Sequence, residues 1–236
     1  MTTHNAIELQ LHRRMDGLRQ QLLVAHSHRN IVKYVSSLSA DYSPELDGAP
    51  YFFRVTFLAN AASTVIRLHT FFDKPHTLSM CNLFDFVEKN ITILSEDAYS
   101  ARLRLSGDSE ARIRRLAAKR PMITRDTVQQ HRLEVEGLPK TNLRIWRHQL
   151  LAHVNLDAVL EQKEIGKTYP IVWAEIDTIL AKLHCILNLY YQAYDASGFA
   201  WGLDRQYEVK RILDALRNDH KRRRAYAQRL LKKSQA

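Results

Sequence analysis

Apolar side chains recur along this chain at alternating steps of four and three, the spacing of helices that bury one face. Leu11, Met15, Leu18, Leu22 and Ala25 form one such stripe in a stretch from about Thr3 to Ala40 that only Gly17 interrupts, which predicts a long first helix. His26 and His28 fall on it two residues apart. That is ~200° around a helix, so they cannot share a metal, and solvated histidines are expected. Turn residues fill 41–50, which reads as a loop. A second helix presents Phe57, Ala61, Val65, Leu68 and Phe72 and stops before Pro75. Thr77 or Ser79 can cap a third, whose Met80, Phe84, Val87, Ile91 and Leu94 continue the same rhythm.

The next helix is broken at Ser106-Gly107-Asp108, with Ser106 or Asp108 as the cap of the following turn, where Ile113 and Leu116 form the apolar side. Thr124 is the N-cap candidate of a helix carrying Val128, Leu133 and Val135 as far as Gly137-Leu138-Pro139. A helix capped by Thr141 or Asn142 and a polar loop over 161–168 come next. After Tyr169-Pro170 a long helix aligns Val172, Ile176, Ile179, Leu183, Leu187, Tyr190 and Tyr194, with the proline suited to its first turn. Ser197–Gly202 interrupts before a last helix with Val209, Leu213 and Leu216. The fold class predicted is all-α, a helical bundle over 1–200 with a long N-terminal helix, followed by a basic C-terminal helical extension over 201–236.

Composition agrees, since seven glycines and six prolines in 236 residues leave little material for hairpins or phosphate-cradling loops. The net charge of +10 adds a partner class, because clustered Lys and Arg release counterions from a polyanion. Anionic membrane would answer the same charge. Between 96 and 120 lie Arg102, Arg104, Arg112, Arg114, Arg115, Lys119 and Arg120, where a phosphate-tracking face and a solvated surface weigh evenly. From Lys221 the chain reads Lys-Arg-Arg-Arg, then Arg229, Lys232 and Lys233, with only Tyr226 and Leu230 to bury. This is a solvated helix end or, the favoured reading, an arm adding nonspecific RNA affinity. No apolar run approaches ~20 residues and no signal leader is apparent, so a cytoplasmic protein is expected. Cys81 and Cys185 lack CxxC partners and are expected to be buried free thiols.

The chemistry concentrates in Trp146-Arg147-His148-Gln149-Leu150-Leu151-Ala152-His153-Val154-Asn155-Leu156-Asp157. This stretch resembles the arginine–polar–(four residues)–histidine signature of HEPN domains, in particular their abortive-infection, AbiU-like branch. Arg67-Leu68, then Phe72-Asp73-Lys74 and Thr77-Leu78-Ser79, is similar to the corresponding helix and turn of those proteins. The resemblance implies an all-helical homodimer and a metal-independent ribonuclease of the toxin or phage-defence kind. Arg147 and His153 would be catalytic, and His148 would orient the arginine or touch phosphate. Arg144, Asn155, Arg222 and Arg223 are the candidate RNA contacts. Expected partners are RNA, a second copy of the chain and a cognate antitoxin or regulator; no cofactor, metal or membrane partner is expected. Where some HEPN toxins carry a modifiable tyrosine two residues after the histidine, this chain has Asn155, so control by such modification is not supported.

A helix turns ~100° per residue, which sets Arg147 and His153 ~120° apart. Arg147 shares a face with Arg144, Leu151 and Val154, and His153 sits above Gln149, Leu150 and Trp146. Both border one groove only if a second surface closes it, as an antiparallel helix from a second copy would. Such a site suits attack by a ribose 2′-hydroxyl on the adjacent phosphate, with imidazole moving protons and guanidinium holding developing charge. Arg125-Asp126-Thr127-Val128-Gln129-Gln130-His131 fits the same spacing, but its spacer is mostly polar where Leu150-Leu151-Ala152 is apolar. The alternatives are a non-catalytic HEPN module that binds RNA or nucleotide or serves as an assembly partner, and a basic helical DNA-binding protein, for which no helix-turn-helix is apparent. Walker, dinucleotide-binding and HExxH motifs are absent.

Overall fold

The computed structural model describes residues 3–74, 76–147, 171–201 and 206–234. Among them the regular elements are helices: α1 (Thr3–Leu38), α2 (Ser43–Asp47), α3 (Pro50–Phe72), α4 (Met80–Lys89), a 3-10 turn (Ile91–Leu94), α5 (Glu96–Leu105), α6 (Glu110–Ala117), α7 (Arg125–Glu136), α8 (Thr141–Trp146), α9 (Trp173–Asp195) and α10 (Gln206–Ser234). They form two compact units, one of Met1–Ala25 with Val65–Ala200 and one of His26–Thr64 with Trp201–Ala236.

In the first unit the predicted stripes are the core. Leu11, Met15, Leu18, Leu22 and Ala25 of α1 are buried, as are Ile176, Ile179, Leu183, Leu187, Tyr190 and Tyr194 of α9, whereas Val172 precedes the helix and is exposed. On α3 the predicted Val65 and Leu68 are buried, with Phe71 beside them in place of Phe72, which is only half-buried. Ser79 is the cap of α4, its hydroxyl accepting from the Asn82 amide at 3.3 Å. The Asn82 side chain in turn donates to the carbonyls of Lys74 (3.1 Å) and His76 (2.6 Å), which fastens the turn after α3. The helix predicted through Leu94 ends at Lys89, because the Asn90 amide donates to both Phe86 and Val87 and the chain tightens into the 3-10 turn. Ser109 caps α6 in place of the expected Ser106 or Asp108: it is extended, immediately precedes the helix, and its hydroxyl accepts from the Arg112 amide. α7 begins after Thr124 as predicted, but Leu133 is exposed and His131 takes the buried position.

Much of the arginine-rich stretch has a structural task. Arg102, one-tenth exposed, donates to Glu8 (2.7 Å) and to the carbonyls of Tyr194 (2.7 Å) and Ile93 (2.8 Å). Arg120 donates to the Leu94 carbonyl at 2.6 Å. Arg104 pairs with Glu110 and Arg112 with Asp108 on the surface. Of the cysteines, Cys81 is buried as expected, whereas Cys185 lies on the outer side of α9, between the buried Leu183 and Ile186, and is exposed.

In the second unit the predicted loop at 41–50 contains α2, begun by a proline in its first turn. Its Glu45 is buried and accepts from Arg217 of α10 at 3.1 Å, which holds the carboxyl below its usual range. The Arg217 guanidinium lies 4.0 Å from the Tyr42 ring, and the Tyr42 hydroxyl donates to Asp214 at 2.6 Å. His26 and His28 are half-buried and engaged, contrary to expectation: the His26 ring stacks on Trp201 at 4.0 Å, and His28 Nδ1 lies 2.7 Å from Asn60 Oδ1.

Candidate functional site

α8 carries the described part of the motif. It starts two residues after Pro139 with Lys140 at the N-cap position, so neither Thr141 nor Asn142 caps it. Buried Leu143 anchors the helix, and Arg147, four residues on, stands on the same side. Arg147 has helical dihedrals (φ −60°, ψ −49°), so the helical path continues to it beyond Trp146. Arg144 is exposed.

Arg147 meets Asp73, the residue that follows α3, with Nη2 3.5 Å from Oδ2. The arginine side chain is 36% exposed and the aspartate 26%. One edge of a planar guanidinium beside a carboxylate is thereby given a direction, and its fork carries further donors for a phosphate. Lys140 adds a second cation nearby on this side of α3: its ammonium lies 5.3 Å from the centre of the Phe72 ring and donates to the Glu136 carbonyl at 2.9 Å. Arg67, also in the resembling stretch, donates to Gln21 at 2.6 Å and serves the packing of α1 with α3.

His148, His153 and Asn155, with the Leu150-Leu151-Ala152 spacer, lie outside the described residues, as do the loop expected at 161–168 and Pro170. Arg222 and Arg223 are exposed on α10 in the other unit, Arg223 pairing with Asp219 at 2.7 Å. The second stretch with motif spacing is divided between two environments. Arg125 is exposed at the start of α7, whereas His131 is buried with Nδ1 3.4 Å from the Tyr190 hydroxyl. Burial lowers the His131 pKa and raises that of Tyr190. His131 is packed in the core against Tyr190, away from the exposed Arg125, which sets this stretch apart from an open site shared by the two residues.

Asp73 was the residue that motif spacing alone could not supply, since 74 positions separate it from Arg147. Its signal was indirect: it stands in Phe72-Asp73-Lys74, the second stretch of the resemblance. The AbiU2 model of the HEPN group matches residues 8–216 and so takes in both stretches. The chain belongs to the HEPN AbiU2 family. No curated protein and no solved structure matches it. Among the described residues of this HEPN protein, no group of three or more His, Cys, Asp and Glu could hold a metal, and no helix is long and apolar enough to cross a membrane.

Proposed function

We propose that this AbiU2-family protein is a metal-independent endoribonuclease whose site is completed by a second copy of the chain. The observation that carries the reading is the family match over 8–216 together with Arg147, the motif arginine, partly exposed and oriented beside Asp73. In the reaction, the ribose 2′-oxygen attacks the adjacent phosphorus as His153 takes the 2′-proton. Arg147 binds the non-bridging oxygens as their charge grows, and His148 supports that hold. The bond to the 5′-oxygen breaks, and that oxygen leaves with a proton delivered by the second histidine of the dimer. The products are a 2′,3′-cyclic phosphate and a 5′-hydroxyl, and DNA, lacking the nucleophile, is not cut. Arg144 on the exposed side of α8 and Asn155 are placed by this reading on the flanking phosphates.

The test is incubation of the protein with end-labelled RNA in EDTA beside Arg147→Ala and His153→Ala prepared in parallel. Loss of at least ~100-fold in both variants is expected for removal of a charge-stabilising group and a general base. Equal cleavage in all three preparations would end the proposal. RNA binding without cleavage by the unmodified chain would leave a non-catalytic RNA-binding module.

A further inference from the structure

The far end of α10 is a surface of a different kind. Every described side chain from Lys221 to Lys232 is exposed, including Tyr226 (64%), Leu230 (50%) and Leu231 (62%). At ~100° per residue, Tyr226, Leu230, Ala227 and Leu231 fall within an arc of ~140°. The arc continues that of Val209, Ile212, Leu213 and Leu216 earlier on the same helix, where Leu213 is buried. The opposite arc holds Lys221, Arg222, Arg224, Arg229 and Lys232, Arg223 falls on the apolar arc about one turn before Tyr226 and pairs with Asp219, and no acidic residue follows Asp219. The family match ends at residue 216, before this arm begins.

Like charge disqualifies a second copy of the arm as its cover, since pairing would bring two sets of cations together without an acid between them. Nucleic acid would answer the cations and one tyrosine ring but gives two leucines nothing to displace water against. A closed protein groove would enclose Lys221, Arg222, Arg223 and Arg224, which follow one another around the whole circumference and would each need a buried acid. A planar anionic surface with an apolar interior meets all three features: the leucines and tyrosine enter the acyl boundary, and the flanking cations reach the headgroups.

We propose that residues 221–234 form a peripheral anchor for an anionic phospholipid surface. The proposal is independent of the ribonuclease reading and sets aside the sequence-based expectation of no membrane partner, along with an RNA role for Arg222 and Arg223. The test is co-sedimentation of the full chain with vesicles of phosphatidylcholine containing ~30% phosphatidylglycerol, with phosphatidylcholine alone, and with a single-stranded RNA as a parallel ligand. Partition onto the anionic vesicles is expected, with at least ~10-fold loss in Leu230→Ser/Leu231→Ser at unchanged charge, and no partition onto phosphatidylcholine. RNA cleavage by the same variant is expected to be unchanged, which keeps this outcome separate from that of the site. Absence of vesicle binding overturns the proposal. So does binding that the leucine pair does not alter, because that is the behaviour of a simple polycation and would return the arm to RNA.

Discussion

Asp73 and His131 divide the motif question between them at the scale of single residues. The Arg147–Asp73 pair is about one-third exposed on the arginine side, and such a pair contributes only ~0–1 kcal/mol to folding. Its effect belongs to geometry. Asp73→Asn is therefore expected to leave the urea midpoint nearly unchanged while lowering kcat about five- to tenfold with little change in KM, as an arginine without its directing carboxylate samples more orientations. Asp73→Glu should recover part of the rate. A faster Asp73→Asn enzyme would show instead that the carboxylate competes with phosphate. His131 makes the opposite statement. Its pKa is lowered in the folded chain, so below the unfolded value of ~6.5 the unfolded state takes up the proton first, and stability falls as pH drops through that window towards the folded pKa. Denaturation of His131→Phe between pH 7.5 and 5 should lack this component, and Arg125→Ala should cut RNA at the unmodified rate. A loss of cleavage in Arg125→Ala would reinstate the second motif stretch.

The element scale shows why some of the fold was legible and some was not. The stripes of α1, α4 and α9 could be read because each large apolar residue repeats the helical period and the core lies on one side of it. α2 could not, since its short run of turn-forming residues becomes a helix through the partners Arg217 and Asp214, 172 positions away along the chain. The same limit applies to Cys185, whose exposure depends on which side of α9 the other helices cover. The arginines of 96–120 look alike in sequence, yet they differ in their tasks. Arg102→Ala would remove the guanidinium that bridges Glu8 and two carbonyls in a mostly buried site, and a loss of about 3 kcal/mol in urea unfolding is expected. Arg115→Ala, at an exposed position of α6, is expected to show no measurable change. Equal losses in the two variants would mean that the Arg102 network contributes nothing of its own.

At the scale of the whole molecule, the family and the helical class followed from local signals, while the site is legible only in part because the proposed arrangement draws on two chains. Six residues of helical spacing, as expected from the sequence, would set Arg147 and His153 ~120° apart, and the proposed site then needs a second chain to bring both to one phosphate. An arrangement in trans, with the arginine of one copy facing the histidine of its partner, can be separated from an arrangement in cis by mixing two inactive proteins. If Arg147→Ala and His153→Ala are unfolded together and refolded at equal amounts, half of the dimers contain one chain of each. In each such dimer one site regains an intact arginine and an intact histidine from different chains but lacks the second histidine that protonates the 5′-oxygen, so a measurable recovery below about a quarter of the unmodified activity is expected. If the two residues act within one chain, every site keeps one defect and the mixture stays as inactive as its components. Light scattering on the same sample gives the mass that this argument requires: a monomeric mixture would defeat the composite site whatever the activity measured.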